Sequence, residues 1–162
     1  MTILVAYGSS RHGTAGLAEM IAEAFVRLGH EAVALPARTA GPPTGYDAVV
    51  VAGSISAGRW HRDARRWVRS HAQILRATPT WLVTSGPLDD SARSGALPPI
   101  PQVASAMDLV AARGHMTFGG FLAPDARGFP ASAMARTRSG DWRDPEHVRE
   151  WVASVDAELS AI

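Results

Sequence analysis

The sequence predicts an α/β fold: a three-layer, doubly wound, five-stranded parallel sheet with strand order 2-1-3-4-5. Three observations carry this. Short continuous apolar runs suit strands buried on both faces. Between them lie stretches whose apolar residues recur at helical spacing. The 162 residues, 46% hydrophobic and 19% charged, have the length and mix of one globular domain spanning 1–162.

Ile3 to Tyr7 is the first strand. From Thr14 to Leu28, residues Leu17, Ile21, Ala24, Phe25 and Leu28 share one helical face, and Gly29 suits a left-handed stop. Glu31 to Pro36 is a second strand, Gly41 to Gly45 a loop, and Asp47 to Ala52 a third strand. A second helix fits His61 to Arg76, with Ala64, Trp67, Val68, His71 and Leu75 inward. Thr80 to Thr84 is a fourth strand, followed by a Pro/Gly-rich loop to Pro101. A third helix fits Gln102 to Arg113 and stops at Gly114, and His115 to Phe121 is a fifth strand. Pro124 to Trp142 is irregular and receives no assignment. Pro145 to Leu159 is the last helix, with proline in its first turn.

Composition removes several chemistries. The chain has no cysteine, so no disulfide, thiolate metal site or cysteine nucleophile. All its basic residues are arginine, which excludes a P-loop NTPase and a lysine Schiff-base enzyme. The net charge of +1 gives no broad field for nucleic acid. No run is apolar enough to span a bilayer, and the N-terminus enters a strand without a basic signal region. A cytoplasmic location follows as the expectation, with peripheral membrane contact left open. The six histidines lack metal-ligand spacing, so no metal is expected.

In the predicted strand order, ligands bind at the carboxyl ends of strands 1, 3 and 4. The first loop, Gly8-Ser9-Ser10-Arg11-His12-Gly13-Thr14-Ala15, opens a helix. Free N–H groups and a positive dipole end meet hydroxyls from Ser9, Ser10 and Thr14, which is good chemistry for a phosphate monoester. The second loop is Gly53-Ser54-Ile55-Ser56-Ala57-Gly58-Arg59-Trp60-His61. Its backbone can face the edge of a planar ring, with Trp60 either covering that ring or anchoring in the core. The third loop begins Ser85-Gly86-Pro87, small enough to admit a flat ligand. Serine hydrolysis is not supported, since Ser56 lacks the glycine two positions before it.

The first two loops, together with Ser139-Gly140-Asp141-Trp142-Arg143-Asp144, resemble motifs of the flavodoxin-like family. The likeness is narrowest to the branch that includes menaquinone-dependent protoporphyrinogen IX dehydrogenase. The resemblance implies FMN as cofactor. It implies phosphate contacts from Ser9, Ser10, Arg11, His12, Gly13, Thr14 and the Ala15 N–H. It implies ring contacts from Ser56, Ala57, Gly58, Arg59 and Trp60, and from Ser85, Gly86 and Pro87. The expected role is an FMN-dependent oxidoreductase or electron-transfer protein, with a redox partner protein, a quinone or a small molecule as partner. The family pattern carries a second threonine where Ala15 stands, and Pro124 to Arg138 is less apolar than in the dehydrogenase. An interaction module with lost or weakened FMN binding is the alternative.

Arg62, Arg65, Arg66 and Arg69 fall on one helical face. They suit either docking of an acidic protein or anionic membrane, or an ordinary solvated surface. His61 lies beside the expected ring site, as a proton relay or a helix N-terminal polar group.

Overall fold

The first apolar run forms β1 (Thr2–Gly8), flanked by β2 (Glu31–Pro36) and β3 (Ala48–Ser56), both parallel to it. In this computed structural model, which describes residues 1–9, 13–86, 91–94, 97–122 and 140–162, β3 then turns back as β4 (Arg59–Trp60). β5 (Thr80–Ser85) pairs with β3, and β6 (Gly114–Phe118) with β5, again in parallel. The order β2-β1-β3-β5-β6 is the predicted 2-1-3-4-5, with β4 added to β3 as a hairpin strand.

Alternation along each strand sends side chains to opposite faces. Ile3, Val5, Val50, Ala52 and Val83 pack beneath α1 (Gly13–Arg27). Leu4, Ala6, Val49, Val51 and Leu82 pack on the other face. That second face is covered by α2 (Arg62–Ser70), α3 (Ala72–Arg76) and, beyond the short α4 (Ser91–Ser94), α5 (Pro101–Val110). The β7–β8 ribbon, Phe121–Leu122 with Gly140–Asp141, leads into α6 (Pro145–Ser160) beside α1. Every residue of β3 from Ala48 to Gly53 is buried, as a strand covered by helices on both faces requires. Each fully buried Leu, Ile or Phe contributes about 2 kcal/mol.

Gly29 ends α1 at φ +93°, the left-handed stop the sequence predicts. Asp144 caps α6, its Oδ1 accepting from the N–H of Glu146 and of His147. Such a cap is worth about 1 kcal/mol. At the outer edge, β2 begins at Glu31 and ends at Pro36.

The structure differs from expectation in four places. β3 runs to Ser56 rather than Ala52, because parallel pairing with β1 and β5 carries it to Ser54 and pairing with β4 extends it to Ser56. The predicted helix 61–76 breaks at His71 (φ −116°), but α2 and α3 share an apolar face, so periodicity reads through the break. α5 ends at Ala111, itself left-handed at φ 51°, before Gly114. β6 stops at Phe118, three residues early, and Trp142 donates its N–H to the Gly120 carbonyl just beyond it. A side chain at Gly119 would run into the Trp142 carbonyl, so only glycine admits this crossing. Nearly all of the unassigned 124–142 segment lies outside the described residues.

Candidate functional site

The ends of β1, β3 and β5 stand side by side. Gly8 is the register partner of Gly53, Gly53 of Thr84, and Ser54 of Ser85. The three loops singled out from the sequence therefore leave one edge of the sheet together. This edge lies where the chain reverses direction around β1, the place at which open α/β sheets bind ligands.

At the first loop, Gly13 and Thr14 open α1 and are buried, and Ala15 is half-buried. Ser9 is half-buried at the end of β1. Ser10, Arg11 and His12 lie outside the described residues. A side chain on Gly8 would stand 2.7 Å from His61 Nδ1 and 3.0 Å from the Ala64 backbone nitrogen. That close approach packs the start of α2 against β1. His61 caps α2, its Nδ1 accepting from the Asp63 N–H at 3.1 Å, so the neutral ring carries its proton on Nε2.

The second loop is a two-residue hairpin. Ile55 pairs with Trp60 and Ser56 with Arg59, around a tip at Ala57 (φ 51°) and Gly58 (φ 72°). Two positive φ values match the right-handed twist of the flanking strands. For Ala57 the left-handed conformation costs about 1 kcal/mol. Ser56, Ala57, Gly58 and Arg59 are exposed.

Trp60 takes the core role of the two open to it. It is 1% exposed, and its Nε1 donates to the Val83 carbonyl at 3.3 Å. The indole lies across Gly53, where any side chain would run into it. A ring packed this way anchors the hairpin and is not presented to solvent as a cover for a flat ligand. The Trp60 N–H donates to Gln102 Oε1 at 2.9 Å, and Arg65 Nε donates to the Trp60 carbonyl at 3.2 Å.

The third loop meets the second. Gly86 donates its N–H to the Phe118 carbonyl, and a Cβ on it would touch the Ile55 side chain at 3.3 Å. Ser85 is buried, and Pro87 lies outside the described residues. Beneath it, Thr84 Oγ1 meets Thr117 Oγ1 at 2.8 Å and His115 Nε2 at 3.2 Å. Burial pushes the His115 pKa down to about 4, so the ring is neutral at pH 7.

Arg143 is a site residue to which sequence reading assigned no role. Its guanidinium lies against the first turn of α1, where a side chain on Gly16 would run into Nη1. Nη1 also approaches the Gly13 carbonyl at 3.5 Å. Asp141 holds it, with Nε to Oδ1 at 2.9 Å and Nη2 to Oδ2 at 2.8 Å. The paired hydrogen bonds from Arg143 lower the Asp141 pKa and raise that of the arginine. The signal was the Asp141-Trp142-Arg143-Asp144 run, which spacing alone connects to nothing.

A family model described as a flavodoxin domain matches residues 4–126. The chain belongs to the flavodoxin domain family. Solved structures give the same fold at low identity. A cysteine-to-serine mutant of the flavodoxin from Pseudomonas aeruginosa superposes with a TM-score of 0.63 at 15% identity, covering 99% of each chain. The flavodoxin of Streptococcus pneumoniae gives 0.60 at 12%, covering 98% of this chain and 99% of the other. The rubredoxin oxygen:oxidoreductase of Desulfovibrio gigas gives 0.67 at 12%, with 99% of this chain spanning 36% of that larger one. No curated protein sequence matches. Family membership is consistent with an electron-transfer role in general. Among the described residues, no helix is long and apolar enough to cross a membrane.

Proposed function

We propose that the chain binds FMN at the carboxyl edge of its sheet and works as a redox protein. The observation that carries this is the register Gly8–Gly53–Thr84, which brings three small-residue loops together beside the N-terminus of α1. The donor set suits the cofactor. Gly13, Thr14 and the Ala15 N–H offer the phosphate a helix start. The exposed tip at Ser56 to Arg59 offers backbone groups and a cation to a flat ring, and Gly86 leaves that ring room.

FMN, when bound, supplies the electron-accepting chemistry. The chain's own residues anchor and tune it. Arg143, itself paired with Asp141, brings a guanidinium beside the phosphate end, where Ala15 supplies no hydroxyl. Arg59 places a cation at the ring end, which favours negative charge there and raises the reduction potential. Oxidation of a substrate is therefore favoured over low-potential electron donation. Within the family, the porphyrinogen-oxidising branch with a quinone acceptor is the specific activity we propose, on the strength of the Gly53–His61 and Ser139–Asp144 motifs. We place the protein in the cytoplasm.

FMN titration followed by flavin fluorescence tests the reading. We expect saturable binding that Ser10→Ala combined with Thr14→Ala weakens at least tenfold, as loss of two charge-assisted hydrogen bonds predicts (~1.4 kcal/mol or more). No saturable binding by the unaltered chain would overturn it. The second reading, an interaction module, rests on Ala15 and is the one that result would favour.

A further inference from the structure

The face of α2 turned away from the sheet carries charge that the fold does not use. α2 holds four arginines and one aspartate, a net +3 within nine residues. α6, on the opposite face of the sheet, holds Glu146, Glu150, Asp156 and Glu158 against Arg149, a net −3. A chain of net charge +1 is thus polarised across its sheet. An ordinary solvated helix face pairs its charges at i,i+4. Here Arg62, Arg66 and Arg69 are exposed, and their side chains make no hydrogen bond or ion pair among the described residues.

Between α2 and α5 lies an open cavity of about 300 Å³. Val68, Ala106 and Leu109 form its apolar wall, and Arg65, Arg69 and Gln102 bring hydrogen-bond donors. Among the described residues no carboxylate lines it, although Asp108 lies exposed one position before Leu109. Leu109 is 43% exposed. Gln102 uses its Oε1 on the Trp60 N–H, and its NH₂ makes no hydrogen bond among the described residues. Among the described residues Arg65 spends only Nε, on the Trp60 carbonyl. The cavity therefore presents donors and an apolar wall, and its complement is acceptor-rich and negative with one apolar side chain. α2 itself exposes no large apolar side chain, so a lipid surface would find charge here and the single Leu109 of α5 to bury, short of the apolar face that membrane insertion needs.

We propose that the groove between α2 and α5 docks an acidic partner protein, whose carboxylates engage Arg65 and Arg69 while one apolar side chain enters the cavity. The two side chains that line this groove also hold both backbone groups of Trp60. A partner that recruits Arg65 or Gln102 thus pulls directly on β4 and on the Ser56–Arg59 tip. That consequence, and only that, rests on the flavin reading: the partner would meet the cofactor edge through the hairpin, as an electron donor or acceptor must.

The test is an NMR titration of the ¹⁵N-labelled full chain with a short peptide of glutamates around one leucine. Parallel arms use the same peptide with serine for leucine and vesicles containing phosphatidylserine. We expect saturable shifts at Arg65, Arg69, Gln102 and Leu109 that extend to the Trp60 amide. Arg69→Gln and Leu109→Ser, neither of which removes a hydrogen bond of the fold, should each weaken binding severalfold, and the leucine-free peptide should bind about tenfold more weakly. Shifts scattered over other arginines, equal binding of both peptides, or a response to vesicles alone would overturn the proposal. FMN titration of the same sample separates the outcomes. Docking without FMN binding removes only the electron-transfer consequence, and FMN binding without docking removes only the groove.

Discussion

The hairpin after β3 and the crossing segment before α6 solve one problem in two ways. Each must hold irregular backbone at the carboxyl edge of the sheet, and each does so by laying a side chain over a glycine, near in sequence for the hairpin and far for the crossing. Trp60 covers Gly53, and Arg143 covers Gly16. The hairpin is fixed by strand pairing, a buried indole and hydrogen bonds to both backbone groups of Trp60. The crossing is held by the Arg143–Asp141 pair, half of it exposed: the Asp141 side chain is 47% exposed. Rigidity thus sits where a flat ring would rest, and a charge clasp sits where a phosphate would bind. The comparison teaches that this edge divides support by burial from support by charge.

Removing the indole should give the largest effect. Trp60→Ala should cost about 3–5 kcal/mol in urea unfolding, the range for emptying a large buried site. A loss under about 1 kcal/mol would show that hydrogen bonding alone holds the hairpin.

Acid should separate the two regions next. His115 lies beneath Thr84, the register partner of Gly53, so it underlies the hairpin's root. Its folded pKa of about 4 is below the unfolded 6.5, so between those values the unfolded chain binds the extra proton. Stability from this ring is complete above pH 6.5 and is lost as pH falls toward 4, on the order of 2 kcal/mol once partial exposure is discounted. His115→Gln should flatten that part of the stability–pH curve. Asp141 is shifted down by Arg143, so its contribution is present above the ordinary carboxylate range and goes only in stronger acid. The hairpin's root should therefore weaken before the clasp opens.

The clasp is tested by a substitution that never touches it chemically. Gly16→Ala puts a methyl group into the guanidinium's place. It should stabilise α1 by up to about 0.8 kcal/mol, alanine being the better helix former. Yet it should weaken FMN binding about as much as Arg143→Ala does, roughly fivefold, a little under 1 kcal/mol, as for a charge at a helix N-terminus. Riboflavin, which has no phosphate, should bind both variants as it binds the parent chain. Equal losses for FMN and riboflavin would assign Arg143 to packing alone.

The smallest change is at the tip. Ala57→Gly relieves the positive φ and should leave stability within about 1 kcal/mol of the parent, the relief being offset by glycine's entropy in the unfolded chain. Thermal unfolding reads the net sign.

Burial on both faces made the strands legible, since a run such as Ala48-Val49-Val50-Val51-Ala52 has no polar face to hide. The last residues of β3 were not. Gly53, Ser54 and Ser56 carry the composition of a turn; parallel pairing with Gly8, Thr84 and Ser85 makes the first two strand, and pairing with Arg59 makes Ser56 strand. Trp60 could be placed in the loop but not inside the core, because one residue has no periodicity. The proposed phosphate end was legible as a strand running into a helix at Gly13 and Thr14. Arg143 was not, because its contact with Gly13 spans 130 positions and is set by the path of the crossing.

The outer edge of the sheet has a consequence for self-association. Among the described residues β2 has a partner on one side only, and Val33 is 39% exposed. Pro36 offers no N–H, and Glu31 puts a charge at the other end. Another chain could add only across Ala32 to Leu35, too short a template for a growing fibre. The residue that ends the strand thereby also guards this edge of the sheet against stacking onto another chain.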